Sequence, residues 1–187
     1  GDFLQATNST QGLAGNVQFI ASADFDNDGN LDFVVTDGAT AAMPANNVGI
    51  RFGNGAGGFG PFTLLTATDG AGAVVAVDLN GDNLPDIAVA NMNSNNVTIL
   101  LNAGAGAGFA MPVNVGVGTT PVDLKAGDID GDGDLDLVTA NQGADNVSVL
   151  TNNGAGTFAG VNFPSMGTGP VGVAIGEFTG DGLVDIA

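Results

Sequence analysis

The chain contains no cysteine, histidine, tryptophan or tyrosine among its 187 residues, and each absence excludes a class of protein. Without cysteine, neither disulfide bonds nor thiolate metal sites can form. Without histidine, there is no imidazole for a Ser-His-Asp triad or for a zinc site with histidine ligands. Oxygen ligands and carboxylate chemistry are what remain.

Basic residues are almost absent too. The chain has two basic residues, Arg51 and Lys125, and 20 acidic residues, which gives a formal net charge of −18 at pH 7. The chain therefore lacks a basic surface for nucleic acid, and anionic membrane surfaces repel it. No apolar run reaches the ~20 residues that span a bilayer, so we expect no membrane insertion. Because 44% of the residues are hydrophobic, we expect a folded domain whose partners are cations, or one adapted to high salt.

The acidic residues are concentrated in four loops of the same length. These loops hold 15 of the 20 acidic residues and place oxygen-bearing side chains at their first, third, fifth and ninth positions. Carboxylates crowded this closely repel one another, so a bound cation is expected. The loops read DFDNDGNLD (24–32), DLNGDNLPD (78–86), DIDGDGDLD (128–136) and EFTGDGLVD (177–185).

Two independent marks show that the chain is an internal repeat. The starts of the acidic loops are 54, 50 and 49 residues apart. A glycine-rich turn lies between successive loops and closes on Phe59, Phe109 and Phe158, with steps of 50 and 49 residues. A shared period of this length is typical of propellers and other repeat folds.

Within each unit, the apolar pattern predicts four short strands and no helix. Apolar alternation precedes each acidic loop, a short apolar run follows it, and two further runs flank the glycine-rich turn. Four antiparallel strands in ~50 residues predict an all-β fold built of β-propeller blades. The alternative is a generic β-sandwich, which seldom shows so regular a repeat.

We expect a single repeat domain over residues 1–187. Its complete blades are predicted at about 15–67, 68–116 and 117–164, and a fourth blade is split between 1–14 and 165–187. The third strand of the split blade is missing from the sequence. We therefore expect a partial propeller, which is either a piece of a longer array or a subunit that a neighbouring chain completes.

Calcium is the cation that these loops are predicted to bind. It takes 6–8 oxygen ligands, and alternate residues of a tight loop can point inward together, with the backbone carbonyl of the seventh residue added. Position 6 is glycine or Asn83, as a sharp left-handed turn requires. The predicted ligands are Asp24, Asp26, Asp28, Asn30 and Asp32; Asp78, Asn80, Asp82, Leu84 and Asp86; Asp128, Asp130, Asp132, Asp134 and Asp136; and Glu177, Thr179, Asp181, Leu183 and Asp185.

Other interpretations of the loops fit less well. An EF-hand needs a glutamate at position 12, where this chain has Val35, Val89 and Thr139. Magnesium favours fewer protein ligands, and transition metals usually recruit histidine or cysteine. A solvated acidic turn is the alternative. This alternative is strongest for the fourth loop, where Glu177 is longer than aspartate and Thr179 is a neutral ligand.

The D-x-[DN]-x-D-G-x-x-D loops and the FGNGAGGFG turn (52–60) resemble the FG-GAP/VCBS repeat family, which includes the N-terminal propeller of integrin α chains. The resemblance spans essentially the whole chain. It implies calcium in the hairpin between the first two strands of each blade, and a propeller most often of seven blades. The later turns begin with Leu-Asn and Thr-Asn in place of Phe-Gly, and the chain holds fewer than four blades.

The resemblance implies a non-enzymatic binding or adhesion module, secreted or at the cell surface, with a protein or glycan ligand. Self-association through the incomplete blade, which would make the chain a structural subunit, is the alternative, and a lectin ranks lower because tryptophan and tyrosine are absent. We predict no enzyme, since four of the acidic residues outside the loops (Asp37, Asp69, Asp123 and Asp145) have no evident partner and read as solvated turn residues. Sequons at Asn8, Asn96 and Asn146 predict N-glycosylation or reflect common residue types.

Overall fold

The computed structural model describes residues 16–38, 46–104, 108–164, 167–182 and 184–187. Over these ranges the chain forms β-strands and one short 3-10 turn at Gln142–Ala144. The predicted all-β fold of propeller blades is confirmed. Of the predicted split blade, residues 1–14 lie outside the described residues, as do Asn8 and Leu183.

Three four-stranded antiparallel sheets follow one another along the chain, and each pairs its strands in sequence order. A two-stranded hairpin follows them. The first blade contains β1 (Asn16–Ala23), β2 (Asp32–Gly38), β3 (Asn46–Arg51) and β4 (Thr63–Thr68). The second contains β5 (Ala71–Val77), β6 (Asp86–Asn91), β7 (Asn96–Leu100) and β8 (Val113–Gly116). The third contains β9 (Pro121–Gly127), β10 (Asp136–Asn141), β11 (Asn146–Asn152) and β12 (Phe158–Pro164), and the hairpin contains β13 (Ile175–Gly176) and β14 (Asp185–Ile186).

The blades pack face to face through apolar side chains. The second strand of a blade is its most buried element: every residue of β6 and β10 is buried. Such strands read as continuous apolar runs because both of their faces are covered. The first strands lie next to one another, with β1 against β5 and β5 against β9. The result is an open, partial propeller.

Three apolar clusters fill the spaces between successive sheets. The first cluster joins blade 1 to blade 2, and the second joins blade 2 to blade 3. The third is smaller and joins blade 3 to the final hairpin. Full burial of one such aliphatic side chain contributes about 1.5–3 kcal/mol, so these interfaces are the main source of stability. Representative members are Val34, Ile50, Val89 and Leu100 in the first cluster, Ala88, Ile99, Leu137 and Leu150 in the second, and Val138, Val149 and Val173 in the third.

A polar ladder crosses the second blade at the end farthest from its acidic loop. The Asn91 side-chain amide donates to Asn96 Oδ1 and to Thr98 Oγ1, both at 2.7 Å. The Thr98 hydroxyl in turn donates to Asn114 Oδ1 at 2.7 Å. The third blade repeats this ladder with Asn141, Asn146, Ser148 and Asn162. The Asn-x-Thr/Ser pattern at Asn96 and Asn146 therefore has a structural role inside the sheets, whether or not these residues carry glycans.

Two acidic residues outside the loops are not the solvated turn residues that the sequence suggested. Asp37 is fully buried at the end of β2 and accepts a hydrogen bond from the Asn47 backbone N–H at 2.6 Å. Asp123 accepts from the Val173 N–H at 3.1 Å and forms an ion pair with Lys125 at 2.7 Å. The interpretation missed these contacts because two of the partners, Asn47 and Val173, lie on a neighbouring strand or in the next repeat. These carboxylates stabilise the fold.

Candidate metal centres

Each acidic loop connects the first two strands of a sheet. The loops join β1 to β2, β5 to β6, β9 to β10 and β13 to β14. Their sixth residues all have positive φ, as a tight left-handed turn requires. The values are 87° at Gly29, 67° at Asn83, 97° at Gly133 and 80° at Gly182.

The first carboxylate of each complete blade's loop organises the turn around it. Asp24 accepts hydrogen bonds from the backbone N–H groups of Asp28 (3.1 Å) and Gly29 (2.8 Å). Asp78 accepts from the N–H groups of Gly81 (2.8 Å) and Asn83 (2.7 Å). Asp128 repeats this arrangement in the third loop with Gly131 and Gly133. The three loops hence share a hydrogen bond from the N–H of the sixth residue to the first carboxylate.

Carboxylates converge in the first and third loops. Oxygens of Asp24, Asp26 and Asp28 lie within 4.8 Å of one another, and so do oxygens of Asp128, Asp130 and Asp136. Both clusters could hold a metal ion. Because all the donors are oxygens, the clusters fit a hard cation such as Ca²⁺.

The electrostatics of these clusters oppose full ionisation. The largest cause that raises the pKa of Asp26 above its ordinary value is the removal of its carboxylate from water. Repulsion from the charges of Asp28 and Asp32 adds to the shift. Loss of water, with repulsion from Asp132 and Asp136, likewise raises the pKa of Asp130. Asp26 Oδ1 is also shielded from solvent and has no hydrogen-bond partner among the described residues. A cation would supply that missing partner and relieve the repulsion.

The second loop relieves its repulsion with an amide. Asn80 stands at the third position, and its side-chain N–H donates to Asp82 Oδ2 at 3.1 Å. Its Oδ1 accepts from the Asp82 backbone N–H at 3.0 Å. A hydrogen bond thus replaces a carboxylate pair. The loop still presents oxygens at the predicted positions, with one negative charge fewer.

The ninth residue of the loop joins the acidic loop to the glycine-rich turn of the same blade. Asp86 is fully buried, and its two oxygens accept from the N–H groups of Leu79 (2.8 Å) and Asn102 (2.7 Å). Burial raises the pKa of Asp86 to about 6, although these N–H groups oppose the shift. Sequence reasoning assigned this position to the metal alone. The backbone role was missed because its partner lies 16 residues away. Asp32 and Asp136 make the equivalent contacts.

The seventh residue of the loop packs on a turn glycine. A Cβ atom on Gly55 would lie 2.4 Å from Asn30 Oδ1, and one on Gly154 would lie 2.5 Å from Asp134 Oδ2. Both glycines also have positive φ, at 68° and 75°. Glycine is therefore required for two reasons, and the two sequence signatures form one structural unit.

The second residue of the turn also reaches the preceding blade. The Asn102 side-chain amide donates to the Phe25 carbonyl at 2.8 Å, and that of Asn152 donates to the Leu79 carbonyl at 2.8 Å. Each bond ties the turn of one blade to the acidic loop of the blade before it. The sequence feature that could have revealed this contact is the asparagine that replaces Gly53 in the two later turns.

The fourth loop is more open. Asp185 accepts through Oδ2 from the N–H groups of Phe178 (2.8 Å) and Thr179 (3.0 Å). These hydrogen bonds, led by that of Phe178, lower the pKa of Asp185. Glu177 accepts from the Gly180 N–H, and Glu177, Thr179 and Asp181 are exposed. Close groups of three carboxylates occur in the first and third loops but not in the described part of this one.

The family of the chain follows from its repeats. The FG-GAP-like repeat model matches residues 24–89, 78–139 and 128–187, so the chain belongs to this family. The blades, the hairpin loops and the glycine-rich turns are the features that the resemblance implied. No curated protein matches the chain, and no helix in the described ranges is long and apolar enough to cross a membrane.

Solved structures share the fold at low sequence identity. An Agrocybe aegerita lectin that recognises non-reducing terminal N-acetylglucosamine matches with a TM-score of 0.55 and 23% identity, over 88% of this chain and 44% of that chain. BBS1N in complex with ARL6DN matches in a mercury-soaked structure (TM-score 0.53, 12% identity, 87% and 44% coverage) and in a lead-soaked structure (0.52, 18%, 90% and 49%). The chain thus spans less than half the length of each protein.

Proposed function

We propose that this chain is a calcium-stabilised, non-enzymatic β-propeller module that binds a protein or glycan ligand outside the cell. The observation that carries the calcium part is the first loop, where three carboxylates converge and a shielded oxygen of Asp26 has no hydrogen-bond partner among the described residues. Ca²⁺ would take its ligands from the first, third, fifth, seventh and ninth positions of the loops. The fourth loop is expected to bind more weakly, since Thr179 contributes no charge.

Calcium in these loops is structural. Binding to the folded loop alone stabilises the native state by mass action, about 2.7 kcal/mol per site at a free concentration 100 times Kd. The thermal midpoint should therefore rise when Ca²⁺ is added to protein treated with EGTA. Mg²⁺ serves as the control and should give a smaller shift, because it dehydrates reluctantly. An unchanged midpoint in Ca²⁺ would rule out this role.

The assignment of individual ligands can be tested with paired variants. Asp26→Asn removes charge from the first loop, and Asp69→Asn removes the same charge outside the loops. Calorimetric titration should show one site fewer, or one weaker site, in Asp26→Asn and an unchanged isotherm in Asp69→Asn. Equal isotherms for the two variants would mean that the first loop does not bind.

A binding role is supported by membership of the FG-GAP-like repeat family and by the propeller fold of the lectin and BBS1N. The buried Asp37 and the paired Asp123 are occupied by structural contacts, which supports a non-enzymatic role. A glycan array tests the lower-ranked lectin function. Immunodetection of the native protein in culture medium against cell lysate tests the extracellular location, and retention in the lysate would contradict it.

A second candidate function is a subunit of an extracellular assembly that is joined through the incomplete blade. The two-stranded β13–β14 hairpin favours it, because a sheet edge can pair with another chain. Sedimentation velocity over a range of concentrations discriminates between the two functions. A monomer at all concentrations would argue against assembly.

A further inference from the structure

Three Asn-Gly pairs occur in the sequence, and the structure gives them different surroundings. In such a pair, the backbone nitrogen of the glycine can attack the side-chain amide of the asparagine, because glycine has no Cβ to obstruct the approach. Asparagine is accordingly one of the thermolabile residues. The pairs are Asn54-Gly55 in the glycine-rich turn of blade 1, Asn80-Gly81 in the acidic loop of blade 2 and Asn153-Gly154 in the glycine-rich turn of blade 3.

The attacking nitrogen is free in both turns. Neither the Gly55 N–H nor the Gly154 N–H donates a hydrogen bond to another described residue. Asn54 and Asn153 are themselves exposed, so water reaches their side-chain amides. In both turns, a free nucleophile therefore lies next to an accessible amide.

The turns also polarise the amide that would be attacked. Asn54 Oδ1 accepts hydrogen bonds from the backbone N–H groups of Ala56 (3.0 Å) and Gly58 (2.9 Å). The turn of blade 3 repeats this arrangement at Asn153 Oδ1, with distances of 3.0 and 3.3 Å. Two donors on one carbonyl oxygen stabilise the negative charge that develops there during attack, as an oxyanion hole does.

The pair in the acidic loop is restrained at all of its reacting atoms. The Gly81 N–H donates to Asp78 Oδ1 at 2.8 Å, so the nitrogen has to give up a charge-assisted hydrogen bond before it can attack. The Asn80 side-chain N–H donates to Asp82 Oδ2 at 3.1 Å, which retains the group that would leave. Among the described residues, Asn80 Oδ1 accepts from one backbone N–H, that of Asp82. The same dipeptide is thus protected here.

We propose that Asn54 and Asn153 are sites of spontaneous deamidation in the folded protein, whereas Asn80 is protected. The glycine nitrogen forms a bond to the asparagine Cγ, the Cγ–Nδ2 bond breaks, and ammonia leaves with the proton of the glycine N–H. Water then opens the cyclic imide at either of its two carbonyls and yields aspartate or isoaspartate. The reaction needs water alone, and the inference does not rest on calcium or on a ligand.

Isoaspartate lengthens the backbone of the turn by one methylene group, at a place with little room. A Cβ atom on Gly55 would lie 2.4 Å from Asn30 Oδ1, and one on Gly154 would lie 2.5 Å from Asp134 Oδ2. The modification therefore loosens the contact between turn and acidic loop, and it adds a negative charge. The turn of blade 2 escapes it, because Ala103 holds the repeat position of the reactive asparagine.

Peptide mapping by mass spectrometry tests the proposal on the whole protein, incubated in mildly alkaline buffer with EGTA. Deamidation exchanges an amino group for a hydroxyl group and raises the mass by about 1 Da. Peptides that contain Asn54 or Asn153 should gain this mass about tenfold faster than those with Asn80, and the rates should converge in urea. Equal rates in the folded protein, or an unchanged rate ratio in urea, would overturn the proposal.

A pair of variants locates the protection at the Gly81 N–H. Asp78→Ala removes its acceptor and should accelerate deamidation of Asn80 about tenfold. Asp128→Ala removes the equivalent carboxylate from the third loop and should leave the Asn80 rate unchanged, while circular dichroism checks the folding of both variants. Equal Asn80 rates in the two variants would overturn the assignment.

The effect of the added methylene is measured against a variant that carries the charge alone. Asn54→Asp combined with Asn153→Asp adds the same negative charges on an ordinary backbone. The isoaspartate-containing protein, separated by anion exchange after incubation, should melt at a lower temperature than this double variant in EGTA. Equal melting temperatures would overturn the claim that the modification loosens the contact between turn and loop.

Discussion

The third acidic loop and the fourth differ less in sequence than in what surrounds them. In the third loop, Asp136 is fully buried and both of its oxygens accept backbone N–H groups, one from the loop and one from the glycine-rich turn. In the fourth, Asp185 has only the contacts from its own loop in the described residues. In the third blade, the glycine-rich turn thus completes the hydrogen bonds around the ninth carboxylate of the loop. Loop and turn should therefore fold together.

The largest expected effect comes from removal of the buried carboxylate. Asp136→Ala leaves the buried N–H of Asn152 and the partly buried N–H of Ile129 without an acceptor. We expect a loss of roughly 3 kcal/mol in the free energy of unfolding. Urea unfolding in EGTA measures this loss without a contribution from bound cations.

Asp185→Ala is the matched control, because Asp185 holds the same repeat position but is partly exposed and accepts only from its own loop in the described residues. The expected loss in the free energy of unfolding is clearly smaller for this variant. If the two variants unfold at the same urea concentration, contact with the turn is not what distinguishes the two loops.

A smaller loss is expected when the side chain that links the turn to the preceding blade is removed. Asn152→Ala deletes the amide that donates to the carbonyls of Leu79 and Leu135, at 2.8 and 3.1 Å. The cost should be about 2 kcal/mol, since buried carbonyls lose their donor. Asn153→Ala is the control: it changes a neighbouring, exposed asparagine whose contacts stay within the turn. Equal melting temperatures for these two variants would show that the contact between blades contributes nothing.

Sequence reasoning predicted the repeated elements but not the contacts between them. The period, the four strands per unit and the turn at position 6 are local signals, and the structure bears them out at Gly29, Asn83 and Gly133. The dual role of Asp86 and the partner of Asp37 depend on residues brought close by sheet pairing. Such contacts leave no short-range pattern. The asparagine at Asn102 and Asn152 was visible, but its acceptor lies more than 70 residues away, in the preceding blade.

Two turn glycines test the contact of the loop with the turn more finely. At Gly154, a Cβ atom would lie 2.5 Å from Asp134 Oδ2, whereas at Gly104 the nearest atom is Leu84 Cδ1, at 3.6 Å. Both have positive φ, so alanine should cost about 1 kcal/mol at either position. Gly154→Ala should cost somewhat more, and it should also weaken calcium binding because Asp134 has to move. An unchanged calcium isotherm for Gly154→Ala would separate the turn from the metal site.

The last comparison is a pH dependence of opposite sign at the buried Asp86 and the more exposed Asp185. Burial raises the pKa of Asp86 from 3.8 to about 6, whereas hydrogen bonds lower that of Asp185. A raised pKa means that the folded state binds the proton more tightly. The contribution of Asp86 is therefore fully present below pH 3.8 and is lost as the pH rises through about 6. The contribution of Asp185 is present above its unfolded pKa and is lost as the pH falls through the lowered folded value.

Variants at the two carboxylates separate these opposite dependences. In EGTA, the stability of the wild type relative to Asp86→Asn should fall between about pH 4 and pH 6, and relative to Asp185→Asn it should rise with pH at the acidic end. Urea unfolding at a series of pH values measures both differences, and any loss that does not depend on pH cancels from the slopes. With Ca²⁺ bound, the Asp86 dependence should move to lower pH, because the cation favours the charged carboxylate. Parallel slopes for the two variants would mean that the turn does not alter the environment of the carboxylate that it contacts.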